Sequence, residues 1–265
     1  VVLAPSGASK SFTTNSIKRM FDAPDGFPEP ASSAKFIDNM QVYNNTGWIQ
    51  DEFGKFLANL DLPHLMELKA YLLKTYDGDK IERHTMKNQV VIDSPALSIF
   101  GLTVLENFTD ELPSGSLVDG FAQRFNYVIA ERDPERRMID FPIFSFDEFD
   151  AQIKEEWNGL LTSIHHKKYY IGKAAEDAYI TAFKRMIPNF EDIDESFYRR
   201  VLWRGTRYAL IYHILQNKES AEIDAVDRGW AARVLQMHLK DASRILTEHN
   251  LPQLARILTR WEEQR

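Results

Sequence analysis

The first eleven residues constrain the fold more than any other stretch. Val1-Val2-Leu3 suits a buried strand, residues 4–9 form a loop of small residues with one proline, and Lys10-Ser11 opens a helical pattern. Strand, tight loop and helix in that order is the layout of a phosphate-binding loop, written G-x-x-x-x-G-K-[ST]. Laid on it, Lys10 and Ser11 match, while Ala4 and Ser9 stand at the glycine positions and Gly7 is the one glycine of the loop. The chemistry needs the backbone N–H groups of Ser6, Gly7, Ala8 and Ser9 to converge on phosphate oxygens at a helix N-terminus. Small side chains permit that approach, and glycine permits it with least strain. In this reading Lys10 reaches the β- and γ-phosphates of ATP, and the Ser11 hydroxyl binds Mg²⁺. An ordinary strand–turn–helix that happens to carry Lys-Ser is the alternative.

A nucleotide site of this kind needs a second half, and Trp48-Ile49-Gln50-Asp51-Glu52-Phe53-Gly54 offers one. An apolar strand ends there in adjacent carboxylates. Asp51 would hold Mg²⁺, and Glu52 would polarise the attacking water. Gln50 departs from the apolar residue expected in a buried central strand. Further on, 80–88 is a polar, locally basic stretch flanked by extended sequence, which predicts a hairpin or long loop. It is either a solvated turn or a loop in which Lys80, Arg83 and Lys87 touch DNA phosphates. Val90-Val91-Ile92 and 96–100 read as buried strand material. Thr103, with Ser98 second, could sense the γ-phosphate from a strand tip, or Thr103 could simply cap the helix beginning near Val104. Arg124 stands just before a strand of aromatic and β-branched residues. It could complete a neighbour's site as arginine fingers do, or pair with Asp119 or a helix C-terminus in its own domain.

Beyond a charged stretch, proline and glycine become sparse and helical periodicity dominates. The expected organisation is an α/β core over 1–132, a connector over 133–145 and an all-helical region over 146–265. Expected helices there cover 146–163, 173–187, 195–216, 225–249 and 252–265, the last two divided at Asn250-Leu251-Pro252. In the third, Arg199, Arg200, Arg204 and Arg207 interleave with a broad apolar face. They are a solvated basic face, or one of them reaches the nucleotide. The histidines at 165, 166, 213 and 238 lack metal-ligand spacing with a carboxylate partner. The chain has no cysteine, which removes disulfides and thiolate zinc sites, and a net charge of −7, which excludes a uniformly basic nucleic-acid coat. No apolar run reaches membrane-spanning length. The absent initiator Met and the start inside an apparent core strand suggest a piece of a longer protein.

Taken in order, the phosphate-loop segment, 48–54, Ser94-Pro95-Ala96-Leu97-Ser98-Ile99-Phe100-Gly101, Asp119-Gly120-Phe121-Ala122-Gln123-Arg124-Phe125 and Arg207-Tyr208-Ala209-Leu210-Ile211-Tyr212-His213 form a recognisable series. The chain resembles the helicase-like P-loop domain that follows primase or primase-polymerase modules in phage and plasmid replication proteins. That family is similar to superfamily 3 and AAA+ helicases. The resemblance implies an AAA+/RecA-like parallel sheet with flanking helices, followed by a helical lid. It further implies ATP and Mg²⁺ as cofactors, DNA (single-stranded) as partner, a homo-oligomeric ring, and a linked N-terminal primase or polymerase domain. The setting would be the cytoplasm of a bacterium or a virus-infected host cell. By resemblance Lys10 and Ser11 bind phosphate and Mg²⁺, Asp51 and Glu52 are the Walker B pair, and Thr103 lies near the first sensor. Arg124 acts in trans, Arg204 or Arg207 is a second sensor, and the stretch 80–87 is a channel hairpin. Ala4 and Ser9 depart from the family's loop, which leaves open a scaffold that binds DNA or assembles a replication complex without hydrolysing ATP. A small-molecule kinase has no acceptor constellation to support it.

Overall fold

The computed structural model describes residues 1–7, 10–20, 26–84, 89–111, 120–131, 135, 147–162, 164–190 and 193–263. The chain divides into two units, Val1–Ile139 and Asp140–Arg265. The first runs β1 (Val2–Leu3), α1 (Lys10–Met20), α2 (Ser33–Val42), β2 (Thr46–Gln50), α3 (Phe53–Asn59), α4 (Met66–Asp77), β3 (Ile81–His84), β4 (Gln89–Ile92), β5 (Leu97–Thr103), α5 (Leu105–Glu111) and β6 (Val128–Ile129). Four strands make a sheet in the order β2-β5-β1-β6, and every neighbouring pair is parallel. The unit is therefore α/β with a mainly parallel central sheet, compatible with a Rossmann-like or P-loop-like fold.

Local chemistry explains how the elements are placed. Ser32 caps α2 by accepting from the Lys35 N–H at 3.2 Å, and Phe36, Ile37 and Met40 then point into the core. Trp48 on β2 is buried between Phe27 and Phe56, with ring centroids 5.4 Å and 5.1 Å away. β2 lies at the sheet edge, where unpaired backbone would be a liability. The chain covers part of it: the Phe27 N–H donates to the Gly47 carbonyl at 2.9 Å. That approach requires Gly26, since a Cβ there would stand 2.9 Å from the same oxygen. The edge position also accounts for Gln50, which the sequence suggested as out of place in a central strand. It is buried, and its amide donates to Glu29 Oε1 at 3.4 Å and to the Asp51 carbonyl at 2.9 Å.

β3 and β4 form a separate antiparallel hairpin, paired from Ile81 with Ile92 to His84 with Gln89. Val90–Ile92 thus belongs to the hairpin and not to the parallel sheet. Ile81, Val90 and Ile92 bury one of its faces. Lys87, expected at the tip, lies outside the described residues.

The second unit contains α6 (Asp147–Thr162), β7 (Tyr170–Ile171), α7 (Lys173–Met186), α8 (Glu195–Leu215), β8 (Glu222–Ile223) and α9 (Ala225–Glu263). Two expectations need correction here. The region is not all-helical, because β7 and β8 pair in parallel; two-residue strands are too short to leave an alternation in the sequence. Nor does the chain break at Asn250-Leu251-Pro252, since α9 continues through Pro252. A proline in a helix interior removes one intrahelical hydrogen bond at a cost of about 3 kcal/mol or more, so the sequence marks a break there although the helix runs on.

Close packing in this unit centres on Gly205. A Cβ there would sit 1.6 Å from the Tyr179 hydroxyl oxygen, so no side chain fits. Tyr179 donates to the Leu202 carbonyl at 3.1 Å, and the Arg228 guanidinium lies 3.6 Å from its ring centroid. Burial pushes the Tyr179 phenol well up, against the opposing pull of Arg228 and Arg204, so it stays a neutral donor. At the start of α9, Asp224 and Asp227 form a reciprocal cap. Asp224 Oδ1 accepts from the Asp227 N–H at 3.0 Å, and Asp227 Oδ2 accepts from the Asp224 N–H at 3.0 Å. Asp227 is fully buried, and its carboxylate also meets His213 Nδ1 at 2.8 Å and Lys218 Nζ at 2.6 Å. His213 Nε2 faces the Ser220 carbonyl at 2.7 Å. Both ring nitrogens therefore face oxygen atoms, which fixes the orientation of the ring.

Candidate functional site

Parallel sheets offer ligand sites at the carboxyl ends of their strands, where successive connections leave in opposite directions. Here the chain leaves β1 towards β2 on one side, and leaves β5 towards β6 on the other, with β1 and β5 adjacent. The switch point thus falls between the ends of β1 and β5, and the strand register shows what gathers there. Leu3 pairs with Thr103, and the Ala4 N–H donates to the Thr103 carbonyl at 3.2 Å. On the far side of β5, Gln50 pairs with Gly101, so Asp51 and Glu52 leave β2 at the same edge of the sheet as Thr103. The loop after β1, the Thr103 tip and the Asp51-Glu52 pair share one edge. Two strand spacings put the outer members about 10 Å apart.

Within the loop, Gly7 adopts φ +78° with open space where a Cβ would be, the conformation glycine tolerates best. Lys10 opens α1, and its ammonium folds back to donate to the Ala4 and Pro5 carbonyls, both at 3.0 Å. The loop is closed by its own lysine. Ala8 and Ser9 lie outside the described residues, as does the Ser11 side chain. Ser6 is exposed in the turn beside Gly7.

Glu52 has φ 50° and ψ 46°, left-handed backbone that a non-glycine residue adopts at a cost. The strain turns the chain sharply from β2 into α3 and leaves the Asp51 and Glu52 side chains exposed. Glu52 Oε2 accepts from Lys55 Nζ at 2.8 Å, and this bond raises the lysine's pKa. Thr103 is buried at its strand tip. Ser98, the second sensor candidate, is near the start of the same strand and so at the opposite edge of the sheet.

Arg124 is engaged in its own chain. Its Nη2 donates to Asp77 Oδ2 at 3.1 Å, its Nη1 donates to the Gly120 carbonyl at 3.0 Å, and the guanidinium lies 5.4 Å from the Tyr76 ring centroid. Asp77 is the last residue of α4. Of the two roles offered by the sequence, pairing with a helix C-terminus in its own domain is the one seen in the single chain. Arg124→Ala and Asp77→Ala should each lower stability, and the double variant should lose less than the sum, with a coupling of about 0.5–1 kcal/mol for a partly exposed pair. Urea unfolding of the four proteins measures it. Additive losses, or hydrolysis lost in Arg124→Ala alone, would instead favour the trans role.

The remaining candidates are more dispersed. Lys80 precedes the hairpin at its base, where it pairs with Glu82 and lies 3.7 Å from Asp93, so its charge is locally neutralised. Arg83 is half-buried and pairs in register with Val90, nearer the turn. Arg204 is buried in the second unit, where its Nε donates to the Arg200 carbonyl at 3.3 Å and the guanidinium lies 5.8 Å from the Phe197 ring centroid. Arg207 is exposed on the same helix.

Mg²⁺ takes oxygen ligands and is usually held by one or two carboxylates together with substrate phosphates. The exposed Asp51 carboxylate beside the switch point fits that donor set. Among the described residues no cluster of three or more His, Asp or Glu side chains offers an all-protein metal cage, and no helix is long and apolar enough to cross a membrane. Compared with known proteins, the chain matches no family model, and no curated protein matches it significantly.

Proposed function

We propose that this chain is an ATP-driven DNA helicase module of the P-loop class, working as an oligomeric ring in a phage or plasmid replication protein. The observation that carries the reading is the shared edge, where the Lys10 loop, Thr103 and the Asp51-Glu52 pair stand at the ends of three adjacent parallel strands. Ser6, Gly7, Ala8 and Ser9 would offer backbone N–H groups to the phosphates. Lys10 would exchange its two carbonyl partners for phosphate oxygens, a charge-assisted replacement of neutral acceptors. Ser11 and Asp51 would hold Mg²⁺, which when bound neutralises phosphate charge. Glu52 would release Lys55 and orient the attacking water, and Thr103 would contact the γ-phosphate. Arg83, with Lys80 and Lys87, would place the hairpin against single-stranded DNA.

The test is Mg²⁺-dependent ATP hydrolysis by the chain with and without single-stranded DNA, alongside sedimentation with nucleotide to read ring assembly. Glu52→Gln should keep ATP affinity within a few-fold and lower turnover by about 10²-fold or more, the loss typical of removing a general base. The second reading, a scaffold that binds DNA or assembles a replication complex without hydrolysis, is favoured by Ala4 and Ser9 at the glycine positions and by the Glu52–Lys55 pair. ATP binding without any hydrolysis would select it.

A further inference from the structure

We propose that the outward face of α8 is a binding site for single-stranded nucleic acid, centred on Trp203. This side chain is 77% exposed, although indole carries more apolar surface than almost any other group. Arg199 and Arg207 stand four residues to either side of it and Arg200 three before it, so three guanidinium groups share its face of the helix. Two of them are held upright by bonds to the preceding turn: Arg199 Nη2 donates to Glu195 Oε1 at 2.7 Å, and Arg200 Nη1 donates to Ser196 Oγ at 3.4 Å. A flat exposed ring with arginines around it provides what a single strand needs, a stacking surface for a base and donors for the flanking phosphates. In a duplex the bases are already stacked and leave no face for the indole. Glu195 offsets the charge of Arg199, so in a chain of net charge −7 the steering of a polyanion to this strip falls to Arg200 and Arg207. A second copy is the less fitting occupant, because a two-fold contact would bring the arginine strip close to its own image.

The inference rests on the DNA-directed part of the proposed function and not on nucleotide turnover. It is tested with the whole chain and a fluorescein-labelled oligothymidylate, by anisotropy across a salt series and without nucleotide. Trp203→Ala should weaken binding about tenfold or more, and Trp203→Phe should restore most of it, as stacking requires. Arg200→Ala/Arg207→Ala should flatten the dependence of log K on log salt by about one unit. Circular dichroism should show the wild-type helix content in all three. If binding falls with Arg83→Ala and not with the α8 variants, this inference fails while the functional reading stands. If the wild type binds no oligothymidylate yet hydrolyses ATP, the inference and the DNA part of that reading fail together. A change in self-association with unchanged DNA affinity would assign the face to a second copy and overturn the proposal.

Discussion

Lys10→Ala is expected to weaken Mg²⁺-ATP binding by roughly 10²–10⁴-fold while leaving the first unit folded. The ammonium donates to the Ala4 and Pro5 carbonyls, two neutral acceptors at the end of β1. Bound phosphate would replace them with charged oxygens, and each hydrogen bond to a charged group contributes about 1.5–3 kcal/mol. Two such bonds account for the range given, at about 1.4 kcal/mol per tenfold. The cost to folding should be smaller, about 1–3 kcal/mol, because Pro5 is partly exposed while Ala4 is buried. Isothermal titration with ATP measures the first quantity and thermal melting the second. An affinity unchanged by the substitution would leave the strand–turn–helix as an ordinary one and remove the basis for a nucleotide site.

The second large effect is expected in the other unit. Asp227→Ala should destabilise it by about 3–5 kcal/mol, the loss that follows when one partner of a buried ionic network is removed. The carboxylate serves His213 Nδ1, Lys218 Nζ and the Asp224 N–H together, and it is fully buried. Without it His213 Nδ1 and the Lys218 ammonium lose their shared partner. Asp227→Asn keeps the shape and one acceptor, so it should cost less. Urea unfolding followed by circular dichroism reads both, and a loss below about 1 kcal/mol for the alanine variant would show that the network does not hold the unit together. The pH dependence has a definite sign. Burial disfavours the Asp224 charge, but bonds from Lys218 and from the Asp227 and Val226 N–H groups hold its carboxyl below the usual range. Its contribution is present above the unfolded value of about 3.9 and is lost as pH falls through the lowered one. Burial likewise opposes the Lys218 charge, yet its bonds to Asp224 and Asp227 raise it. That contribution is present below about 10.4 and is lost as pH rises through the raised value.

What could be read from the chain alone follows a physical rule. Features carried by neighbouring residues were legible: the strand before the Lys10 helix, the Asp51-Glu52 strand end and the hairpin around Arg83. Features made by residues distant in sequence were not. The placement of β5 between β1 and β2 depends on parallel register, which leaves no local mark. The Arg124–Asp77 pair spans 47 residues, and Lys80 meets Asp93 only because the hairpin folds. The His213–Asp227 network was missed for another reason. Asp224 and Asp227 stand three apart just before a helical run, a capping pattern that marks the helix start and could have pointed to a buried carboxylate.

The place of β5 has a mechanical consequence. Its first residue is joined to the hairpin by residues 93–96, and Asn44 holds that link by donating to the Ser94 carbonyl at 3.0 Å and accepting from the Ala96 N–H at 2.8 Å. Its last residue, Thr103, stands at the opposite edge, about 20 Å away across the six steps of a seven-residue strand. Between these ends the strand is laddered to β2 on one side and β1 on the other. A pull on the hairpin along the strand axis would load those ladders in shear, with all their hydrogen bonds strained together and none peeled away in turn. Such an arrangement resists tension better than one that unzips. Any tug that reaches the hairpin arrives at the Thr103 tip as a displacement of the sheet and not as a local tear.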